Sequence, residues 1–278
     1  MTQVLDFIEV IKIIILSIVQ GITEWLPISS TGHLIIVEDL MPLNLSPEFR
    51  EIFMVLVQLG SILAVIVLYF NKLNPFAPSK TKTERKNTWV LWFKVAFASI
   101  PAGILGLLLN DYMDEYFNTP MVVAIALIVY GFGFIWIENR KPGRHSKKIE
   151  SLEELRFSDA FKIGLFQALS LIPGTSRSGS TIMGGLLMGT SRHVATEFSF
   201  FMGIPVMFGA SFWKLVTLGL PTQGAELIYL AIGMIVSFLV SVFAIRFLIS
   251  YLQRNDFTVF GYYRIVLGAI VILYTLFF

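Results

Sequence analysis

Five apolar stretches in this chain are each long enough to cross about 30 Å of hydrocarbon as a helix, a distance that takes roughly 20 residues. They run over about Ile52–Phe70, Thr88–Leu109, Thr119–Ile137, Leu227–Ile245 and Phe257–Phe278. A sixth, about Glu197–Leu218, is interrupted by Gly203, Pro205 and Gly209. Only 14% of the residues are charged, against roughly 25% in soluble domains, and 55% are hydrophobic. A globule of 278 residues cannot hide that much apolar surface in one core, so a second apolar solvent is needed. The fold class that follows is an all-α polytopic membrane protein. The absence of cysteine excludes disulfides, thiolate catalysis and cysteine metal sites. His33, His145 and His193 are too few and too scattered for a histidine metal cage. Asp6 and Glu9 stand ahead of the first apolar run, where a signal peptide would carry a basic leader.

Two further apolar regions break in the middle. Val10–Leu40 breaks at Glu24–His33, and Phe161–Thr190 breaks at Pro173–Gly179. Short apolar arms around a polar centre predict re-entrant hairpins, because irregular backbone at membrane depth must be buried in protein or line a cavity. The charges agree. Lys72, Lys80, Lys82, Arg85 and Lys86 fill one loop, and Arg140, Lys141, Arg144, Lys147, Lys148 and Arg156 fill another. Two spans separate these loops, so both lie on one side, which the positive-inside rule makes cytoplasmic. The intervening loop carries Asp111, Asp114 and Glu115. With two hairpins and six full spans, Arg246 and Arg254 also fall inside.

The halves echo each other. Gln20–Gly32 (QGITEWLPISSTG) resembles Gln167–Gly179 (QALSLIPGTSRSG), and Glu48-Phe49 and Glu197-Phe198 follow at comparable distances. One hairpin plus three spans per half is an odd number of crossings, so the second half is inserted upside down. In such inverted-topology repeats, broken segments from both halves meet near the bilayer midplane and build the site. The expected division is residues 1–138 as the first repeat, with its hairpin over about 10–40, a basic cytoplasmic linker at 139–158, and 159–278 as the second repeat, with its hairpin over about 160–190.

The two hairpin tips carry the chemistry. In the first, Gln20 and Glu24 are four apart and share a helix face. A carboxylate at membrane depth costs at least roughly 2.5–3.5 kcal/mol unless it is paired. Glu24 therefore reads as a general base or a metal ligand, or as a structural carboxylate bonded to hydroxyls. Ser29, Ser30 and Thr31 offer nucleophiles or helix caps, and His33 offers a base. In the second tip, Arg177 presents a fork of donors that matches phosphate oxygens. The alternative is an arginine paired to Glu24 or Glu197 for structure alone. Ser176, Ser178 and Thr181 add hydroxyls, while Gly174 and Gly179 let the backbone come close. Gln58 and Glu197, just after the hairpins, read as site-lining groups or as helix–helix hydrogen bonds. Together the tips describe a site for an anion carried by an amphiphile.

These motifs resemble the undecaprenyl pyrophosphate phosphatase family, the BacA type of bacitracin-resistance proteins. That family's first motif is Glu or Gln, three residues, Glu, matched by Gln20 and Glu24 and running on into Ser29-Ser30-Thr31-Gly32-His33. Its second, Pro-Gly-x-Ser-Arg-Ser-x-x-Thr, is matched by Pro173, Gly174, Ser176, Arg177, Ser178 and Thr181. The resemblance implies an undecaprenyl-diphosphatase, a hydrolase acting on a phosphoric anhydride. It would turn undecaprenyl pyrophosphate into undecaprenyl phosphate, the carrier lipid of cell-wall synthesis, and confer bacitracin resistance. It also implies a divalent cation, Mg2+ or Ca2+, with Glu24 as a ligand, and a site on the outer side of a bacterial cytoplasmic membrane. Some members carry glutamate where this chain has Gln20, which leaves one carboxylate in the motif. Catalysis is assigned to Glu24, Ser30, His33 and Arg177, and substrate binding to Gln20, Ser29, Thr31, Gly174, Ser176, Ser178 and Thr181. The expected partners are the lipid substrate, the bilayer and a second copy in a homodimer, with no nucleic acid. The competing function is a transporter or flippase of an anionic prenyl lipid, since inverted repeats with broken helices are transporter architecture. A transporter needs no nucleophile, so the Ser-Ser-Thr-Gly-His cluster favours the enzyme.

Overall fold

The structure, a computed structural model, describes residues 5–140, 148–221 and 224–277; His145 and much of the second basic loop lie outside them. Among the described residues there are eleven α-helices. α1 (Phe7–Thr23) and α2 (Ser30–Leu40) are followed by α3 (Pro47–Leu68) and the single turn α4 (Phe70–Leu73). Next come α5 (Lys82–Phe117), α6 (Pro120–Asn139), α7 (Phe157–Ala168) and α8 (Arg177–Leu187). The last three are α9 (Arg192–Leu218), α10 (Gly224–Leu252) and α11 (Thr258–Phe277).

Local chemistry sets the helix starts. Asp6, Ser46, Thr119 and Ser191 each accept a backbone N–H at the head of their helices, and Thr81 with Glu84 forms a reciprocal capping box. Six helices, α3, α5, α6, α9, α10 and α11, are long and apolar enough to cross a membrane. α1, α2, α7 and α8 have 17, 11, 12 and 11 residues, all short of a full crossing. Large apolar side chains stay exposed on the spans, among them Leu107, Phe212 and Phe243 at 73%, 69% and 71%. Those faces suit lipid.

The spans differ from expectation in two places. α5 runs 36 residues, so Glu115 continues the helix in place of forming a loop; nothing in the sequence stops it before Pro120. α9 passes through Gly203, Pro205 and Gly209 without a break, with Phe200, Phe201, Met202, Gly203 and Ile204 buried just ahead of the proline; helices packed against neighbours tolerate the one backbone bond that proline removes.

The packing is crossed between the halves. The first arm α1 lies on α10, the middle span of the other half, and α7 lies on α5, its counterpart. α3 packs on α9 and α6 on α11, like with like. Small residues allow these approaches. A Cβ on Gly131 would stand 2.7 Å from the Gly261 oxygen, and one on Gly261 would stand 2.8 Å from the Gly131 oxygen. At the α3–α10 contact the Ser61 and Ser237 hydroxyls meet at 2.5 Å. The two tips meet, Ser178 of the second bonding to the Glu24 carbonyl of the first, and Trp25 packs in one core with Phe134, Phe198, Phe200 and Phe201.

Candidate active site

The tips are built alike. Ser29 (φ 74°) and Ser176 (φ 70°) are the only non-glycine residues in the left-handed region among those described. Such backbone costs roughly 1–3 kcal/mol and persists where the surroundings over-determine it. Each serine then caps the helix that follows: Ser29 Oγ accepts from Gly32 N at 3.3 Å and Ser176 Oγ from Gly179 N at 3.1 Å. The residue after each sharp turn, Ser30 in the first tip and Arg177 in the second, is thereby presented at the start of a helix.

Glu24 is the hub. It is only 6% exposed, and its two oxygens hold three partners. Arg177 Nη2 lies 3.1 Å from Oε1. Gln20 Nε2 and Ser30 Oγ donate to Oε2 at 3.0 and 3.1 Å. Arg177 Nη1 donates to the Ser199 carbonyl at 2.7 Å, and its guanidinium lies 5.9 Å from the Trp25 ring. Gly203 makes room for it, since a Cβ there would come within 2.8 Å of Nη1.

Around the pair lie buried polar atoms that it leaves unpartnered. Arg177 Nε and Trp25 Nε1 are buried donors, and Gln20 Oε1 is a buried acceptor, none with a partner among the described residues. Folded proteins rarely leave such groups unpaired. A free N–H of the guanidinium and a free indole N–H near it suit phosphate oxygens. The free amide oxygen beside a carboxylate suits a cation.

The other expected site residues separate into groups. Ser178 ties the tips together, donating to the Glu24 carbonyl at 3.0 Å. Thr181 donates to the Arg177 carbonyl at 2.9 Å and meets Ser199 Oγ at 2.6 Å, so it braces the second tip. Gly174, at φ +90°, seats its tip on α6, where a Cβ would strike the Val123 oxygen at 2.6 Å. Thr31 is exposed beside Ser30. His33 is not bonded to Ser30: Nδ1 lies 2.7 Å from the Ser29 carbonyl and Nε2 lies 2.6 Å from the Tyr263 hydroxyl. Of the two candidate bases, Glu24 is the one that holds the serine. Glu197 pairs with Lys72 at 2.6 Å and with His193, and so does not partner Arg177.

Sequence reading missed Arg264. It is fully buried on α11 and donates to the Pro27 carbonyl of one tip and to the Gly174 and Thr175 carbonyls of the other, at 3.1, 2.9 and 3.0 Å. An arginine in the middle of a 20-residue apolar helix was the available signal.

Comparison with known proteins places the chain in a family. The family described as bacitracin resistance protein BacA matches residues 13–270. The chain belongs to the BacA family. A relative from Enterococcus faecalis named undecaprenyl-diphosphatase is 54% identical over 274 residues, covering 98% of this chain and 99% of the relative. Relatives of the same name from Acetivibrio thermocellus and Lactiplantibacillus plantarum are 55% and 54% identical, each over 96% or more of both chains. BacA membership and the six candidate spans agree on a multi-pass membrane protein.

Proposed function

We propose that this protein is a membrane phosphatase that hydrolyses undecaprenyl pyrophosphate to undecaprenyl phosphate and inorganic phosphate. The observation that carries the reading is Ser30 Oγ held 3.1 Å from Glu24, whose other oxygen holds Arg177. A serine needs such a base to become a nucleophile. Ser30 Oγ attacks the terminal phosphorus while Glu24 takes the hydroxyl proton. The bridging P–O bond breaks, and undecaprenyl phosphate leaves with the electron pair. Water then attacks the phosphoserine, phosphate departs, and the proton returns to Ser30. Arg177, with the free Trp25 N–H beside it, neutralises charge on the transferring group. This chemistry needs positioning and electrostatics more than elaborate covalent steps.

The residues fit a divalent cation of the hard, oxygen-seeking kind. Among the described residues no group of three His, Cys, Asp or Glu gathers, so the protein would supply Glu24 and the free Gln20 Oε1. Mg2+ commonly takes one or two carboxylates and substrate phosphates for the rest. When bound, the ion offsets pyrophosphate charge. Purified protein in detergent should release phosphate from undecaprenyl pyrophosphate and stop when a chelator is added. Micelles support hydrolysis but not net transport, so no phosphate release would refute the enzyme. Release that survives chelation would remove the cation.

The two halves, 1–138 and 159–278, act in this reading as inverted repeats joined by the linker at 139–158. Their basic loops face the cytoplasm of a bacterial inner membrane, and the lipid head enters the site from the outer side. A single cysteine replacing Asp114 should be labelled by an impermeant reagent on intact cells, and one replacing Lys80 should not. The reverse pattern would overturn this orientation.

A further inference from the structure

Two consecutive residues of α11 reach the hairpin tips. Arg264 fastens both from within. Tyr263, 45% exposed, reaches the first tip from its open side through His33. In the neutral imidazole, Nδ1 faces the Ser29 carbonyl, which can only accept, so Nδ1 carries the proton and Nε2 is the acceptor. The Tyr263 hydroxyl is then the donor to Nε2, and the two rings lie nearly parallel at 7°. The relay runs from Tyr263 O–H to His33 and from His33 N–H to the carbonyl of Ser29, the residue in left-handed backbone immediately before Ser30.

We propose that Tyr263 is a positioning residue: it fixes the tautomer and plane of His33, and through His33 it holds the strained Ser29 turn that aims Ser30 at Glu24. The inference rests on Ser30 being the nucleophile. Tyr263 need not touch substrate. The second tip has its own brace for the equivalent turn, the Arg264 bonds to Gly174 and Thr175. The Tyr263–His33 pair is the corresponding brace of the first.

Purified full-length Tyr263→Phe keeps the ring and loses only the hydroxyl. With undecaprenyl pyrophosphate in detergent, its kcat should fall about 10-fold, the scale of one lost hydrogen bond, with KM within about twofold of the wild type. In a His33→Leu background the same change should cost nothing further, because the residues act in series. The chain has three histidines, so ¹⁵N-histidine NMR can follow the ring directly. The signal absent from His33→Leu should show a fixed Nδ1–H tautomer in the wild type and lose it in Tyr263→Phe. Independent, multiplying losses in the double variant, or an unchanged His33 signal, would overturn the proposal while leaving the phosphatase intact. A wild type that releases no phosphate in this assay would instead remove the reading on which the proposal stands.

Discussion

Ser30→Ala and Glu24→Gln are each expected to abolish phosphate release while the folded protein still binds undecaprenyl pyrophosphate. The alanine removes the hydroxyl that Glu24 holds at 3.1 Å and changes little volume. The glutamine keeps the shape of Glu24 but loses its basicity. Loss of a general base alone costs typically about 10²–10⁴-fold, and loss of a nucleophile should cost more. Ground-state binding should survive in Ser30→Ala, because the phosphate grip lies in Arg177 and the free Trp25 N–H. A fall in kcat without a matching rise in KM is the pattern of an interaction made in the transition state. Glu24→Gln also removes the only carboxylate that Arg177 meets among the described residues, and breaking a buried pair costs about 3–5 kcal/mol of stability. Thermal unfolding should therefore accompany the kinetics, with Glu24→Gln unfolding earlier and Ser30→Ala near the wild type. If Ser30→Ala keeps a tenth of the activity while Glu24→Gln keeps none, Ser30 only positions a water. If both turn over normally, the first tip is not catalytic.

Arg177→Lys should lose roughly 10²–10³-fold in kcat although its charge is kept, the scale of losing one well-placed donor to a developing charge. A guanidinium reaches Glu24 and the Ser199 carbonyl with its two Nη atoms and keeps Nε free. A lysine ammonium is a point charge and cannot span those positions. Gly203→Ala approaches the same group from α9. Its methyl must displace the guanidinium, so activity should fall while the spans stay folded. Near-normal turnover in Arg177→Lys would reduce Arg177 to a charge.

Much of the fold was legible because membrane solvation writes it into composition. The lengths of the apolar runs gave six spans, and polar breaks near Glu24 and Pro173 gave two hairpins. The tip motifs pointed to Glu24, Ser30 and Arg177, and the structure brings those three together. What could not be read is which pairings form across long sequence separations: Glu24 and Glu197 stood equally open as partners of Arg177, and nothing named a partner for His33. Arg177 and Glu24 are 153 residues apart, and His33 and Tyr263 are 230 apart. No spacing rule links them. Ser29, Ser176, Ser178 and Thr181 looked like substrate ligands because a hydroxyl at a helix start looks the same whether it caps, braces or binds. Only the partners distinguish the roles: Ser29 and Ser176 cap their helices, and Ser178 and Thr181 bond to backbone carbonyls of the tips. Arg264 was visible as a charge inside the last span, but its task of joining three carbonyls emerges only once both tips are placed.

In the proposed reaction the terminal phosphoryl group passes through Ser30. Rapid quenching of the purified protein with undecaprenyl pyrophosphate labelled in its terminal phosphate, followed by peptide mapping, tests this directly. Transient label on Ser30 is expected, formed before free phosphate appears and absent from Ser30→Ala. Turnover in which phosphate is released while no label ever enters the protein would contradict it.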